Sequence, residues 1–376
     1  MGGIRRPTTP GVYRPHHVLT VCDERSRGER SRAASHYLPG SAAILLRSTM
    51  SVFVSLQAIE EAADRIGGVA RKTPLVPLVL EGHGRVLAKC ENLQPGGAFK
   101  IRGAHNFITQ LSDAERCQGV VTYSSGNHGQ AVALSAGVVG VKAVVVMPTN
   151  APGIKVDGAR ALGAEVLFEG VTSASRKARA ELVAAERGLR MVPPFDDPWI
   201  ISGQGTVGLE ILRECPEVSR VLVPVGGGGL LAGTATAIKL QRPDAEVIGV
   251  EPVGAAKMRD SLAAGRPVTL DHVASIADGL IPVRPGDLTF EHVRRFADDV
   301  VTVDDDAIKT AVLQLFRRGK LVVEPSGAAS VAALISGTVE PVVGNDTTTV
   351  VVLSGGNIGL DLLARLAGRA DRPVVG

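Results

Sequence analysis

"VLVPVGGGGLLAG", residues 221–233, joins an unbroken apolar run to a glycine quartet, then to small and apolar residues. The run has the length and Val/Leu content of a strand buried on both faces. The quartet, Gly226, Gly227, Gly228 and Gly229, offers several backbone N–H groups at the N-terminus of the following helix, a geometry that cradles a phosphate. A P-loop is excluded, because no Lys-Ser or Lys-Thr pair follows. A dinucleotide site stays open. Gly227, Gly229 and Ala232 satisfy G-x-G-x-x-A, and Glu251 ends the next strand where a ribose-binding acid would fall. A tight turn with no ligand is the third reading, and the entropy cost of ordering four consecutive glycines argues against it.

The same order of strand, glycine-rich turn and helix recurs outward from this point. "GVVTYSS" precedes "NHGQAVALSAGVVG", "KAVVVMP" precedes "PGIKVDGARALG", and "TTTVVVLSGG" is the last strand. "SLQAIEEAADRIGG" (55–68) has a Ser cap, apolar residues three and four apart and a terminal glycine, which predicts an amphipathic helix. Continuous Val/Ile/Leu strands alternating with helices predict an α/β fold with mostly parallel, doubly wound sheets. Ligands of such sheets bind at the carboxyl ends of strands, where "SSGNHG", "GGGG" and "SGGN" all lie.

The 376 residues are enough for one large or two medium domains. Residues 1–49 carry eight arginines against Asp23, Glu24 and Glu29, a net +5 within a chain of net +3, so the remainder is near −2. No clustered basic face for nucleic acid is expected. No apolar run reaches the roughly 18–20 residues of a membrane helix. Residues 1–49 read as a disordered extension; an organellar transit peptide is the alternative, opposed by the acidic residues. Cys22, Cys90, Cys117 and Cys215 have no metal or redox spacing and read as reduced thiols of a cytoplasmic protein.

"ENLQPGGAFKIRGAHNF" (91–107) strips bulk from the approach to Lys100 through Gly96, Gly97 and Ala98. Lys100 is either a surface lysine after a turn or one that reaches a buried ligand. Ser124, Ser125, Gly126, Asn127 and His128 sit at a strand-to-helix turn, where the polar ones serve as helix caps or as ligand contacts. Ser354 follows the last strand.

Taken in order, these segments with "PPFDDPWIISGQGTVGLEI", "IADGL…RPGDLTF" and "EPSGA" resemble the threonine/serine dehydratase and serine racemase group of fold type II pyridoxal 5'-phosphate (PLP) enzymes, over roughly residues 50–370. The resemblance implies a fold like that of the tryptophan synthase β subunit. It has a large PLP-binding domain from 50–112 and 195–376, a small mobile domain from 113–194, and a homodimer. It implies that Lys100 forms an imine with the cofactor aldehyde and later acts as base on the substrate Cα hydrogen. Phe99 would pack on the ring, Gly226 to Gly229 would hold the phosphate, Asn127 would bond the ring oxygen, and Ser354 would face the pyridine nitrogen. Ser124, Ser125, Gly126, Asn127 and His128 would hold the substrate carboxylate, and Ser125 is also the acid that racemisation needs.

The activity so implied is loss of water from L-threonine or L-serine, giving a 2-oxo acid and ammonia. A serine racemase and a 3-hydroxyaspartate dehydratase are rivals; an NAD-dependent dehydrogenase and a non-catalytic binding protein are more distant ones. Two positions depart from the family. Ala98 stands where Ser is usual, and Lys257 stands where racemase-like members place an Asp that binds a divalent cation with the acid matching Glu251. An ammonium cannot ligate a metal, so a weak or absent divalent site is expected, with Lys257 pairing with Glu251 in the cation's place. About twenty residues follow "SGGN", which leaves no room for the regulatory domain of biosynthetic threonine dehydratases, and inhibition by isoleucine is not expected.

Overall fold

The computed structural model describes residues 53–370 apart from Ser125, Pro152 and residues 342–346. The expectation for residues 1–49 lies outside the described residues. Strands β1 (Leu75–Leu78), β2 (Arg85–Lys89), β3 (Val120–Thr122), β4 (Ala143–Met147), β5 (Glu165–Phe168), β6 (Arg190–Met191), β7 (Arg220–Pro224), β8 (Glu246–Pro252), β9 (Asp299–Val303) and β10 (Thr348–Val352) form two sheets. The larger runs β1-β2-β10-β7-β8-β9 and the smaller β5-β4-β3-β6. Every pairing is parallel except that of β1 with β2. The fully buried runs of β4 and β10 confirm why their apolar pattern is continuous rather than alternating.

Three strands escape the sequence pattern. β1 carries Pro77, whose ring cannot donate to a ladder, and it lies at an edge of the sheet with Pro77 exposed. β9 is the opposite edge, and β6 has only two residues. The helix Pro198–Glu214 is also unanticipated, because Gly203, Gly205 and Gly208 lower its propensity. Packing explains them. A Cβ on Gly203 would lie 2.6 Å from Gly103 Cα, and one on Gly208 would lie 2.8 Å from Thr234 O. Glycines thus let this helix approach its neighbours backbone to backbone. Asp197 caps its start by accepting from Trp199 N at 2.8 Å, with Pro198 in the first turn.

The helix Lys100–Thr109 is buried along residues 101–108. Its Ile101, Ala104, Phe107 and Ile108 share a core with Val120, Val145 and Met147 of the smaller sheet. Cys90 and Cys215 are free and buried, as expected. Among the described residues no helix is long and apolar enough to cross a membrane.

Candidate active site

Lys100 opens its helix directly after a turn in which Gly96 and Gly97 take φ of 74° and 75°. Side chains rarely adopt that backbone, and a Cβ on Gly97 would also collide with Asn357. The turn is zipped to the loop after β10. Asn92 N donates to Leu353 O at 2.9 Å, Phe99 N to Ser354 O at 3.1 Å, and Gly356 N to Gly97 O at 2.8 Å, while Ala98 bridges Gly355. Two segments some 250 positions apart in sequence therefore form one surface, with Ser354 beside the residue that precedes Lys100.

Arg102 fixes the helix from behind. Its guanidinium bonds both Glu91 oxygens at 2.7 and 2.8 Å and both Glu210 oxygens at 2.7 Å, with nothing exposed. Lys89 Nζ also holds Glu210 at 2.7 Å. Burial pulls the Glu91 carboxyl upward, but the Arg102 charge outweighs it and keeps the group below its ordinary range. Two cations and two anions are thus mutually satisfied, and the first turn of the helix cannot swing without breaking a buried pair.

Lys100 itself has no such partner. Its Nζ donates to Pro194 O at 2.6 Å, and among the described residues no carboxylate pairs with it. Burial alone pushes its pKa down from 10.5 to about 8. The next residue after Pro194 is Phe195, whose ring fills the space where a Cβ of Gly227 would sit, 2.3 Å away, and whose Cβ lies 3.0 Å from that of Gly229. Thr289 Oγ1 holds Gly227 O at 2.7 Å, and Asp196 accepts from Leu288 N and Thr289 N at 2.9 and 3.1 Å. The quartet is therefore clamped on both sides. None of its four N–H groups donates to another backbone group among the described residues, and the helix Gly229–Lys239 starts there. These unclaimed donors at a helix N-terminus fit a phosphate.

Asn127 opens the helix Asn127–Val139. Its Nδ2 donates to Glu324 Oε1 at 2.7 Å, and its Oδ1 accepts from Asn357 Nδ2 at 2.9 Å. Glu324 is buried; burial and then the charge of Asp278 raise its carboxyl to about 7. Ser124 Oγ accepts from Gly126 N at 3.2 Å and closes the turn. His128 is buried with Nε2 3.2 Å from Val192 O, and burial followed by the charge of Lys100 pushes it down to about 3, so it stays neutral. Ser125 lies outside the described residues. Ser354 is buried, and among the described residues its Oγ reaches only Ser326 O, at a long 3.5 Å.

An amine without a counter-ion, four unclaimed amides and a nearly unpartnered hydroxyl are the donor set that the aldehyde, phosphate and ring nitrogen of PLP require. The residues present fit the cofactor, which Lys100, residues 226–229 and Ser354 would hold. Sequence reasoning missed Phe195, Asp196 and Glu324. All three lie inside quoted motifs, but their roles depend on partners 30 to 200 positions away. The dinucleotide alternative is corrected. Glu251 is fully buried, bonds Met258 N and Arg259 N at 3.0 Å and pairs with Lys257, so its oxygens are closed to a ribose.

The family model for "Pyridoxal-phosphate dependent enzyme" matches residues 66–355, and the chain belongs to that family. It is 41% identical over 316 residues to the L-threonine ammonia-lyase of Thermotoga maritima, covering 83% of this chain and 78% of that one. It is 40% identical over 326 residues to the catabolic L-threonine dehydratase of Escherichia coli, covering 86% and 99%. Among solved structures it matches maize serine racemase with a TM-score of 0.78 at 37% identity, covering 84% and 98%.

Proposed function

We propose that the protein is a PLP-dependent ammonia-lyase that removes water from L-threonine or L-serine. The substrate loses its Cα hydrogen and its β-hydroxyl as water, and hydrolysis of the resulting enamine yields a 2-oxo acid and ammonia. When bound, PLP supplies the electron sink for the charge left at Cα. Lys100 Nζ removes the Cα proton, and its depressed pKa keeps a fraction of the amine uncharged near neutrality. The N–H groups of residues 226–229 orient the phosphate. Ser354 presents an uncharged hydroxyl to the ring nitrogen, which stabilises a pyridinium weakly and favours prompt loss of a β-substituent. Ser124 to His128, Ser125 included, bind the substrate carboxylate, and Asn127 orients the ring oxygen. Phe99 supports the ring. The unit around the smaller sheet, residues 113–194, closes over the substrate and excludes water. The enzyme works as a cytoplasmic homodimer.

One observation carries this reading. Lys100 Nζ is partly buried, pairs with no carboxylate among the described residues, and donates to Pro194 O, next to the Phe195 whose ring packs on the glycine quartet. A serine racemase is the second reading, favoured by the adjacent Ser124 and Ser125 and by the likeness to maize serine racemase. Purified enzyme given threonine, serine or 3-hydroxyaspartate separates them. Rapid 2-oxo acid from threonine or serine supports the lyase. D-serine formed faster than pyruvate overturns it in favour of the racemase.

A further inference from the structure

Another buried lysine stands immediately behind the glycine quartet. Lys257 opens the helix Lys257–Ala264 with no exposed surface. Its Nζ has four oxygens around it: Glu251 Oε1 at 2.8 Å, Leu280 O at 2.8 Å, and Val225 O and Ala255 O at 3.1 Å. Three are main-chain carbonyls from separate segments, and one is a carboxylate buried with it. This is the donor set that a hard cation collects, all oxygen and with one negative charge. Burial works against a charge on Lys257 and Glu251 works for it. The three carbonyls have no proton to offer a neutral amine, and the Glu251 oxygens already accept main-chain N–H bonds, so the ammonium form satisfies the site.

The position of those carbonyls gives the site its consequence. Val225 O belongs to the residue before Gly226, and Leu280 O to the residue after Gly279, whose own carbonyl is 2.8 Å from a Cβ built on Gly226. The β8 end, the 278–280 turn and the entry to the quartet are therefore drawn onto one positive centre.

We propose that Lys257 is a covalently tethered cation, a positioning residue that holds the entry of the phosphate loop in place and makes the enzyme independent of metal ions. The cavity it fills is a monovalent-cation site by chemistry, and removing the side chain uncovers it. The consequence for the phosphate rests on the function proposed above; the cation site itself does not.

Two readouts keep those parts separable. Melting of the cofactor-free protein reports the site, and PLP affinity by absorbance titration reports the loop. For the unmodified enzyme, neither should move when choline is exchanged for potassium or ammonium at equal ionic strength, or when magnesium or EDTA is added. K257A in choline should melt lower and bind PLP about tenfold more weakly, with potassium or ammonium restoring both. K257M fills the space with an apolar chain, so it should show the defect without ion rescue. Cation dependence in the unmodified enzyme overturns the proposal, as does a K257A defect that every cation leaves unchanged. If K257A does not fold in choline, recovery of folded protein in potassium or ammonium supports the proposal, and failure in all three overturns it. Rescue of melting with PLP binding absent throughout would retain the cation site and discard the cofactor reading.

Discussion

Lys89, fully buried, and Lys100, partly buried, are amines eleven positions apart with opposite surroundings. Lys89 meets the Glu210 carboxylate at 2.7 Å and Thr73 O at 2.6 Å, inside a network that Arg102 and Glu91 complete. Lys100 meets one carbonyl and no acid. A structural lysine is given an anion that holds its proton. The lysine proposed to be reactive is denied one, so that desolvation alone lowers its pKa and the uncharged amine becomes accessible near neutral pH. The anions have not been omitted from the region. They have been gathered around Arg102, two residues further along the helix, which neutralises them and uses them to aim it.

The comparison breaks first at Lys100. Lys100→Met should reduce 2-oxo acid formation by at least about 10³-fold and remove the visible absorbance of bound cofactor, with the fold retained by circular dichroism. If turnover survives, the lysine without a counter-ion is not the reactive one. The same contrast has a pH signature. An amine pushed down to about 8 from 10.5 is protonated below that value and free above it. Capture of PLP by the cofactor-free protein should therefore speed up as pH rises through about 8, in stopped-flow absorbance. An inflection near 10.5 would contradict the desolvated site.

The paired side of the comparison is tested by Arg102→Met, which strands Glu91 and Glu210 as buried anions with only Lys89 between them. About 3–5 kcal/mol of stability should be lost in denaturant titration. Gly227→Ala is smaller and acts on the cofactor. Its Cβ meets the Phe195 ring 2.3 Å away, and PLP affinity should fall about 10- to 100-fold by absorbance titration as ring or loop gives way.

A further test is Glu324→Gln, which copies the protonated carboxyl. Because the folded-state pKa of Glu324 is raised from 4.5 to about 7, the folded protein holds this proton where the unfolded chain has released it. Stability relative to E324Q should then fall as pH rises from about 4.5 to about 7, by about 3 kcal/mol in melts taken across that window. A flat difference would mean the carboxyl is ionised throughout.

Much of this was legible in the sequence, for a physical reason. Strands buried on both faces and glycine turns leave local marks, so β4, β7, β8 and β10 and the loops that follow them could be read directly. Lys100 and residues 226–229 are legible for the same reason, since close approach demands the absence of side chains. Glu324 was not legible, because an acid at a helix start reads as an ordinary surface residue until Asn127 and burial are known. The helix Pro198–Glu214 was hidden by glycines that look like breakers but serve as contact points with Gly103 and Thr234. Lys257 was recognisable as a departure from the family. Its three carbonyl partners were not, because main-chain oxygens carry no residue code.

The position of β10 has a consequence during synthesis. It lies between β2 and β7, although nearly the whole chain separates it from β2. Until a ribosome has passed residue 352, the two halves of the larger sheet have no seam to join them, whereas β3 to β6 form one contiguous stretch that can assemble earlier. Ser354 is made just after that keystone strand. The proposed cofactor site is therefore not assembled in the nascent chain until residue 354 has emerged, and products that stop short of it should be unable to retain the vitamer.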